Sequence, residues 1–338
     1  MSIRVLLLSQ QDLAATGVTH HEVLEAVRMA MREHAAGTYE MHPKIGVHPT
    51  GTDPDNFIHA MPAYLRTAGV CGLKWVAGFP KNPQRGLPNV TGIQVCNDVD
   101  TGLPLAIMDC AWLTGLRTAA VSTVIAAHCA RADAETLAVC GCGFQGGLHL
   151  EFLTGALPSI RRVRLYDVRE ESARALAARA AAFFGGTVEV CGSPEACLQG
   201  ADVIATCTNG DVQIIQPEWF APGTFGVGIE GGCAYTEKAL HQADRFIVDD
   251  IPLAEYFQKI SVGRLNDRGE ETPEFPGGIP PVYATIGQIV SGERSGRDDP
   301  MQRIVAIPIG MAICDIALGD LVYRKVREAG VGQEFALS

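Results

Sequence analysis

Residues 137–150, LAVCGCGFQGGLHL, set Gly141, Gly143 and Gly146 between a short apolar run and a segment of helical character. A tight turn between a strand and a helix would use glycines in this way, and so would a floor for a dinucleotide. The context favours the second. The motif opens a region in which strand and helix signals alternate, and Asp167 ends the next strand 21 residues after Gly146, the spacing of a dinucleotide-binding βαβ unit. In that reading Gly141 makes the turn, Gly143 lets the backbone approach a pyrophosphate, and Gly146 lets helix and strand pack closely. The helix N-terminus supplies free N–H donors and partial positive charge. Asp167 would accept from an adenosine ribose and repel a 2′-phosphate, which points to NAD rather than NADP, with Arg169 as the one softening feature. Asp167-Val-Arg-Glu170 also resembles a capping box, and the two roles are compatible.

The alternation extends well beyond the glycines. TLAVC, RVRLYDV, TVEVC, DVIATCT, GTFGVGI and RFIVDD read as strands separated by helices such as QGGLHLEFLTGAL and EESARALAARAAAFF, the latter closed by Gly185-Gly186. Such spacing requires parallel pairing through right-handed crossovers, hence a Rossmann, doubly wound α/β sheet. Upstream the pattern differs. A helix, VLEAVRMAMREHAAG, ends on Gly37, and residues 43–110 read as strands joined by Asp- and Gly-rich turns, predicting an antiparallel sheet. With about 150 residues per domain, 338 residues suggest two: residues 1–128, completed by a C-terminal helix over 305–338, and residues 129–304. The stretch 261–282 is rich in Gly, Pro and charge and reads as a long surface loop or a lid.

Bulk properties exclude several classes. The formal charge of −11, from 38 acids and 27 bases, repels a phosphate backbone, and no dense basic cluster offsets it, so nucleic acid is not an expected partner. The N-terminal MSIRVLLLSQQDL is too short an apolar run for a signal peptide or a membrane span, which gives a cytoplasmic expectation without membrane contact. Eleven cysteines are scattered through apolar runs and read as reduced core thiols. Cys140 and Cys142 flank one glycine without a second pair at zinc-ligand spacing, so no metal is expected.

In an acidic chain, a base inside an apolar stretch needs an anionic partner to offset its desolvation. Lys74 in GVCGLKWVAGF, Arg117 in LTGLRTAA and Lys44 in HPKIGVH fit that description. A substrate carboxylate would match them, Arg binding it bidentately and Lys adding a point charge or a mobile proton. An ordinary salt bridge or a snorkelling surface residue is the competing explanation for each.

The stretches GLKWVAGFPKNPQRGLPNVTG, DVDTGLPLAIMD, LTGLRTAAVSTVIAAHCAR and VCGCGFQGG together resemble the ornithine cyclodeaminase/μ-crystallin family across nearly the whole chain. The resemblance implies a Rossmann domain with an antiparallel substrate and dimerisation domain, a homodimer, and roles for Lys74 and Arg117 in catalysis and carboxylate binding, with Arg117 also at the cofactor. Lys44 stands where the family usually has a carboxylate-binding Arg. Thr91, Phe144, Gln145, Asp167 and Thr208 match positions that touch the dinucleotide.

Two departures bear on the reaction. IEGGCAYTE places Cys233 where the cyclodeaminases have a catalytic Asp, and His59 in NFIHAMP replaces a carboxylate near the substrate amine. Cys233 reads as a weak acid or inert lining, Glu230 as a conceivable substitute acid, and His59 as a proton-transfer group or a wall residue. The expectation is therefore NAD-dependent reduction of a small 2-imino acid, or the reverse amino-acid dehydrogenation. Ornithine cyclodeamination and a crystallin-like cofactor-binding protein without catalysis are the alternatives.

Overall fold

The computed structural model describes residues 3–49, 51, 53, 55–208, 213–230, 234–255, 264–265, 271–272 and 278–338. The chain divides into two compact units, residues 1–117 with 311–338, and residues 118–310. The division falls inside one helix, Ala111–Cys129, rather than after it.

The first unit is built on strands β1 (Arg4–Leu8), β2 (Tyr39–Met41), β3 (Ile45–Val47), β4 (Phe57–Leu65), β5 (Val70–Gly78), β6 (Val90–Asn97) and β7 (Pro104–Asp109). Helices α1 (Gln10–Ala15) and α2 (His20–Ala36) follow β1. Gly37, left-handed at φ 68°, ends α2 as the sequence predicts, and Thr19 and Glu22 close a capping box at its start. The turn-rich region forms consecutive antiparallel pairs, β4 with β5, β5 with β6 and β6 with β7, and β3 with β4.

One pairing departs from the expected antiparallel sheet: β1 lies parallel to β7, and a last strand, Gln333–Ala336, pairs antiparallel to β1. No hairpin joins β1 to β7, so no turn dictates their direction. The register sets Met61, Lys74, Gln94 and Met108 in one row across four strands, all buried. The C-terminal helix Ala312–Ala329 covers this face, Ile316 lying against Gly72. That helix starts later than its apolar lead-in suggests, because Ile304–Ile307 is spent on a strand of the other unit.

The second unit holds β8 (Thr136–Cys140), β9 (Arg162–Tyr166), β10 (Thr187–Val190), β11 (Val203–Thr206), β12 (Phe225–Gly228), β13 (Arg245–Val248), a small pair β14 (Arg264–Leu265) and β15 (Glu271–Thr272), β16 (Val282–Thr285) and β17 (Ile304–Ile307). Eight of them make a parallel sheet in the order β10-β9-β8-β11-β12-β17-β13-β16. β8, β11, β12, β13 and β17 are buried along their whole length, which explains their continuous apolar sequences. The strand order reverses at β8, whose neighbours are β9 and β11. An open α/β sheet places its ligand crevice at the carboxyl ends of the strands flanking such a reversal.

Helix α3 (Ala111–Cys129) leads into this unit, α4 (Phe144–Ala156) follows β8 and α5 (Glu170–Ala180) follows β9. α5 ends before the expected Gly185-Gly186, and the ring of Phe184 closes over Gly186 instead. Buried His149 in α4 joins the Gln145 carbonyl and the Ser122 hydroxyl of α3, each at 2.9 Å. Because a carbonyl only accepts, Nδ1 carries the proton and Nε2 accepts from Ser122. Of the 261–282 stretch, only 264–265, 271–272 and 278–282 fall within the described residues.

The packing under the first unit's sheet yields a test. A Cβ on Gly319 would lie 1.7 Å from the Gln94 amide nitrogen, itself fully buried. Gly319→Ala is expected to destabilise the fold by about 1–3 kcal/mol, read as a lower midpoint in denaturant unfolding, whereas Gly330→Ser at the exposed helix end leaves the Gln94 packing intact.

Candidate functional site

In the first unit, strand alternation turns Lys74 inward from β5, between Leu73 and Trp75 on the other face. Its ammonium meets a carboxylate that sequence reasoning passed over. Asp315, in the first turn of the C-terminal helix, lies 2.9 Å from Lys74 Nζ through Oδ2 and 2.9 Å from Arg117 Nε through Oδ1. The three side chains are shut away from water, with Asp315 at 0%, Lys74 at 1% and Arg117 at 7% exposure. The helix N-terminus favours an anion at Asp315. Gln94 fixes the helix by donating to the Asp315 main-chain oxygen at 2.9 Å.

Burial pushes the Lys74 ammonium below its ordinary range; Arg117 adds to that and Asp315 opposes it. Arg117 meets Asp315 through Nε, and its two Nη groups make no hydrogen bond to any described residue. The cluster thus holds two cations and one anion, with a bidentate donor face unused.

His59 stands beside this cluster on β4. It stacks on Phe57 with centroids 4.4 Å apart and meets His48 edge-on at 5.9 Å. Gly46 faces it across the β3–β4 pair, and a Cβ there would strike the His59 ring at 2.6 Å. Burial, followed by the charges of Lys44, His48 and Lys74, lowers the His59 pKa to about 4. His59 is therefore a neutral ring near pH 7 rather than a cation. Lys44 immediately precedes β3, half-buried, and its charge is felt at His59.

The second unit carries the glycine turn. Gly141 has φ 90°, a left-handed conformation natural to glycine, and a Cβ there would meet the Cys207 carbonyl at 2.4 Å. A Cβ on Gly146 would lie 1.9 Å from the Gly141 carbonyl, so the first turn of α4 sits directly on the loop. Gly143, the N-cap, faces open space and offers no side-chain cap to the helix's first N–H groups. Phe144 is exposed beside it, and the buried Gln145 Oε1 has no hydrogen-bond partner among the described residues. An open glycine cradle, uncapped donors and an orphaned amide oxygen fit a phosphate-bearing dinucleotide.

Asp167 follows β9 and accepts from Cys142 N at 2.8 Å and from Arg169 N at 2.9 Å. The N-cap of α5 is Arg169, without a side-chain cap, so the capping-box alternative for Asp167 does not hold. Thr208 lies past the end of β11, where its hydroxyl donates to Glu230 Oε1 at 3.0 Å; Thr206 donates to Oε2 at 2.8 Å. Burial raises the Glu230 pKa while these donors oppose it. Thr91 belongs to the first unit, on the β6 face opposite Gln94. Cys233 lies outside the described residues.

An eight-stranded parallel sheet with a glycine turn at its order reversal, and a strand-rich unit with a buried carboxylate clamp between two cations, define a nucleotide-binding oxidoreductase architecture. Residues 5–330 match the Ornithine cyclodeaminase/mu-crystallin family, and the chain belongs to that family. It is 30% identical to alanine dehydrogenase of Archaeoglobus fulgidus over 98% of each chain. Among solved structures, an archaeal alanine dehydrogenase dimer with bound NAD superposes with a TM-score of 0.86 at 30% identity, covering 99% of this chain and 100% of that one. Δ1-pyrroline-2-carboxylate reductase of Thermococcus litoralis, in complex with NADH and L-proline, gives 0.84 at 25% identity over 97% and 99%.

The depressed His59 value can be checked directly. In an NMR titration its ring signals should turn over near pH 4 and stay flat from pH 6 to 9; a midpoint near the ordinary 6.5 would contradict its burial beside these cations.

Proposed function

We propose that the protein is an NAD(H)-dependent oxidoreductase that interconverts a small 2-imino acid and the corresponding amino acid. The observation that carries this reading is the pair of buried cations sharing one carboxylate. A substrate carboxylate brings two negative oxygens to the unused Nη face of Arg117 and balances the surplus charge. Lys74, and Lys44 beyond it, supply further positive charge, which fixes the orientation of the α-carbon. When bound, NADH supplies a hydride to that carbon. The imine nitrogen then needs a proton, which Lys74 would donate, its lowered proton affinity making transfer at neutral pH easier. In the reverse direction neutral Lys74 accepts the same proton. His59, uncharged, lines the site without competing for the substrate anion.

The glycine turn, Phe144, Gln145, Asp167 and Thr208 would hold the dinucleotide, through backbone donors at the phosphates and the Asp167 carboxylate at a ribose. The carboxylate at the end of β9 favours NAD over NADP. The similar proteins named for alanine dehydrogenation and pyrroline-2-carboxylate reduction support a 2-amino or 2-imino acid as the substrate class.

Replacing Lys74 or Arg117 by Ala is expected to lower kcat/KM by at least about a hundredfold, while NADH binding to the Lys74 variant, followed by fluorescence, changes little. Undiminished turnover in both variants would remove these residues from the site. Small 2-oxo acids with ammonia or methylamine, and cyclic 2-imino acids, are the substrates to screen. Proline and ammonia from L-ornithine with only catalytic NAD would replace this reading with cyclodeamination.

We further propose a homodimer through the sheet face opposite the C-terminal helix. Ile45, Ala60, Trp75 and Ile93 form one row there, with Ile45 at 61% and Trp75 and Ile93 each at 43% exposure, an apolar surface unusual for a free face. The dimer named in the alanine dehydrogenase structure supports a second copy as its occupant. Trp75→Asp should shift the mass measured by light scattering from dimer to monomer; a wild-type monomer would exclude the assembly.

A further inference from the structure

We propose that Asp315 is the positioning residue of this site, a fixed carboxylate that holds Lys74 and Arg117 side by side so that both meet one substrate carboxylate. The role rests on the substrate reading given above, and it adds a residue that touches neither substrate nor cofactor.

Three observations carry it. Asp315 is fully buried yet divides its oxygens between the two cations, one at 2.9 Å on each side. Its backbone is anchored independently by Gln94, whose own place requires the missing side chain of Gly319. Among the described residues Arg117 is bound through Nε alone, a contact that leaves its terminal Nη groups uncommitted to the aspartate. A bidentate grip on Asp315 would have used the Nη groups that a ligand needs. Two cations with no anion between them would repel each other and swing apart in a dry core.

The groups acting on Lys74 come from every side. Asp315 of the C-terminal helix raises its proton affinity, Arg117 of α3 lowers it, and Cys110 after β7 acts weakly in the raising direction. His59 of β4 is neutral near pH 7 and feels Lys74 rather than setting it. Removing the Asp315 charge therefore lowers the Lys74 pKa, and removing the Arg117 charge raises it. This opposition separates a positioning role from a merely structural one, because loss of packing alone has no reason to move Lys74 in opposite directions.

The chain has six lysines, few enough for an NMR titration of the full-length protein labelled with [ε-13C]lysine, the Lys74 signal being assigned by its loss in Lys74→Arg. In Asp315→Asn the Lys74 transition is expected at lower pH than in the wild type, and in Arg117→Gln at higher pH. With an active substrate, the kcat/KM limb of Asp315→Asn moves to lower pH in step, and kcat falls about a hundredfold with NADH binding retained. If the Asn variant fails to bind NADH, Asp315→Ser, smaller and uncharged, takes its place in the same comparison. An unchanged Lys74 transition in the folded Asp315 variant, or unchanged kcat, overturns the proposal. If the wild type turns over none of the screened substrates, the oxidoreductase reading fails while the titration still decides whether Asp315 sets Lys74.

Discussion

A single carboxylate held between two cations inside a protein core is the interaction on which the rest of the first unit depends. Charges shut away from water lose hydration worth several kcal/mol each, which only close, well-aligned partners offset. Asp315, Lys74 and Arg117 meet that requirement with contacts of 2.9 Å on both sides of the carboxylate. The surrounding packing is subordinate to it. The Met61-Lys74-Gln94-Met108 row brings the ammonium under the C-terminal helix, and Gly319 makes the room that lets Gln94 hold that helix in place. The clamp leaves one positive charge over. An added carboxylate would bring two cations and two anions into balance, which is the electrostatic basis of the substrate reading proposed above.

The second unit solves a different problem with backbone rather than charge. Its turn depends on what glycine lacks, a left-handed φ at Gly141, a close approach at Gly146 and open space at Gly143. A side chain at the first two positions would collide with main-chain oxygens, which cannot rotate away. The loop is tied down by Asp167, whose carboxylate accepts from Cys142 N, a bond that stabilises the turn from the neighbouring strand. Asp167 therefore fixes the loop with only part of its hydrogen-bonding capacity. Glu230 does similar work at β11 and β12, joining Thr206 to Thr208.

The features visible in the sequence are those written in local patterns. Alternating apolar strands and helices specify the parallel sheet because strands buried on both faces must be apolar throughout. The Asp- and Gly-bearing turns specify the β6–β7 hairpin. β1 and the last strand, Gln333–Ala336, escaped because their pairing joins the two ends of the chain, a contact with no local signature. Asp315 is the instructive omission. A base in an apolar run was treated as needing a partner, yet AICDIALG presents an acid in the same setting. In a chain of net charge −11 an acid attracts no notice, although its desolvation is just as costly. The same rule applied to both signs would have paired Asp315 with Lys74 and Arg117.

Charge also bears on which end of a substrate the first unit accepts. Burial first, and then the charges of Lys44, His48 and Lys74, depress His59 so far that it takes no proton near neutrality. Both causes act against a cation brought up to this ring. A diamino acid whose distal amine reached toward β3 would bring a cation up to Lys44 and His59. A substrate with a neutral or anionic far end would meet no such opposition. The uncharged His59 ring thus offers a distal ammonium no counter-charge, in keeping with the imine reduction proposed above.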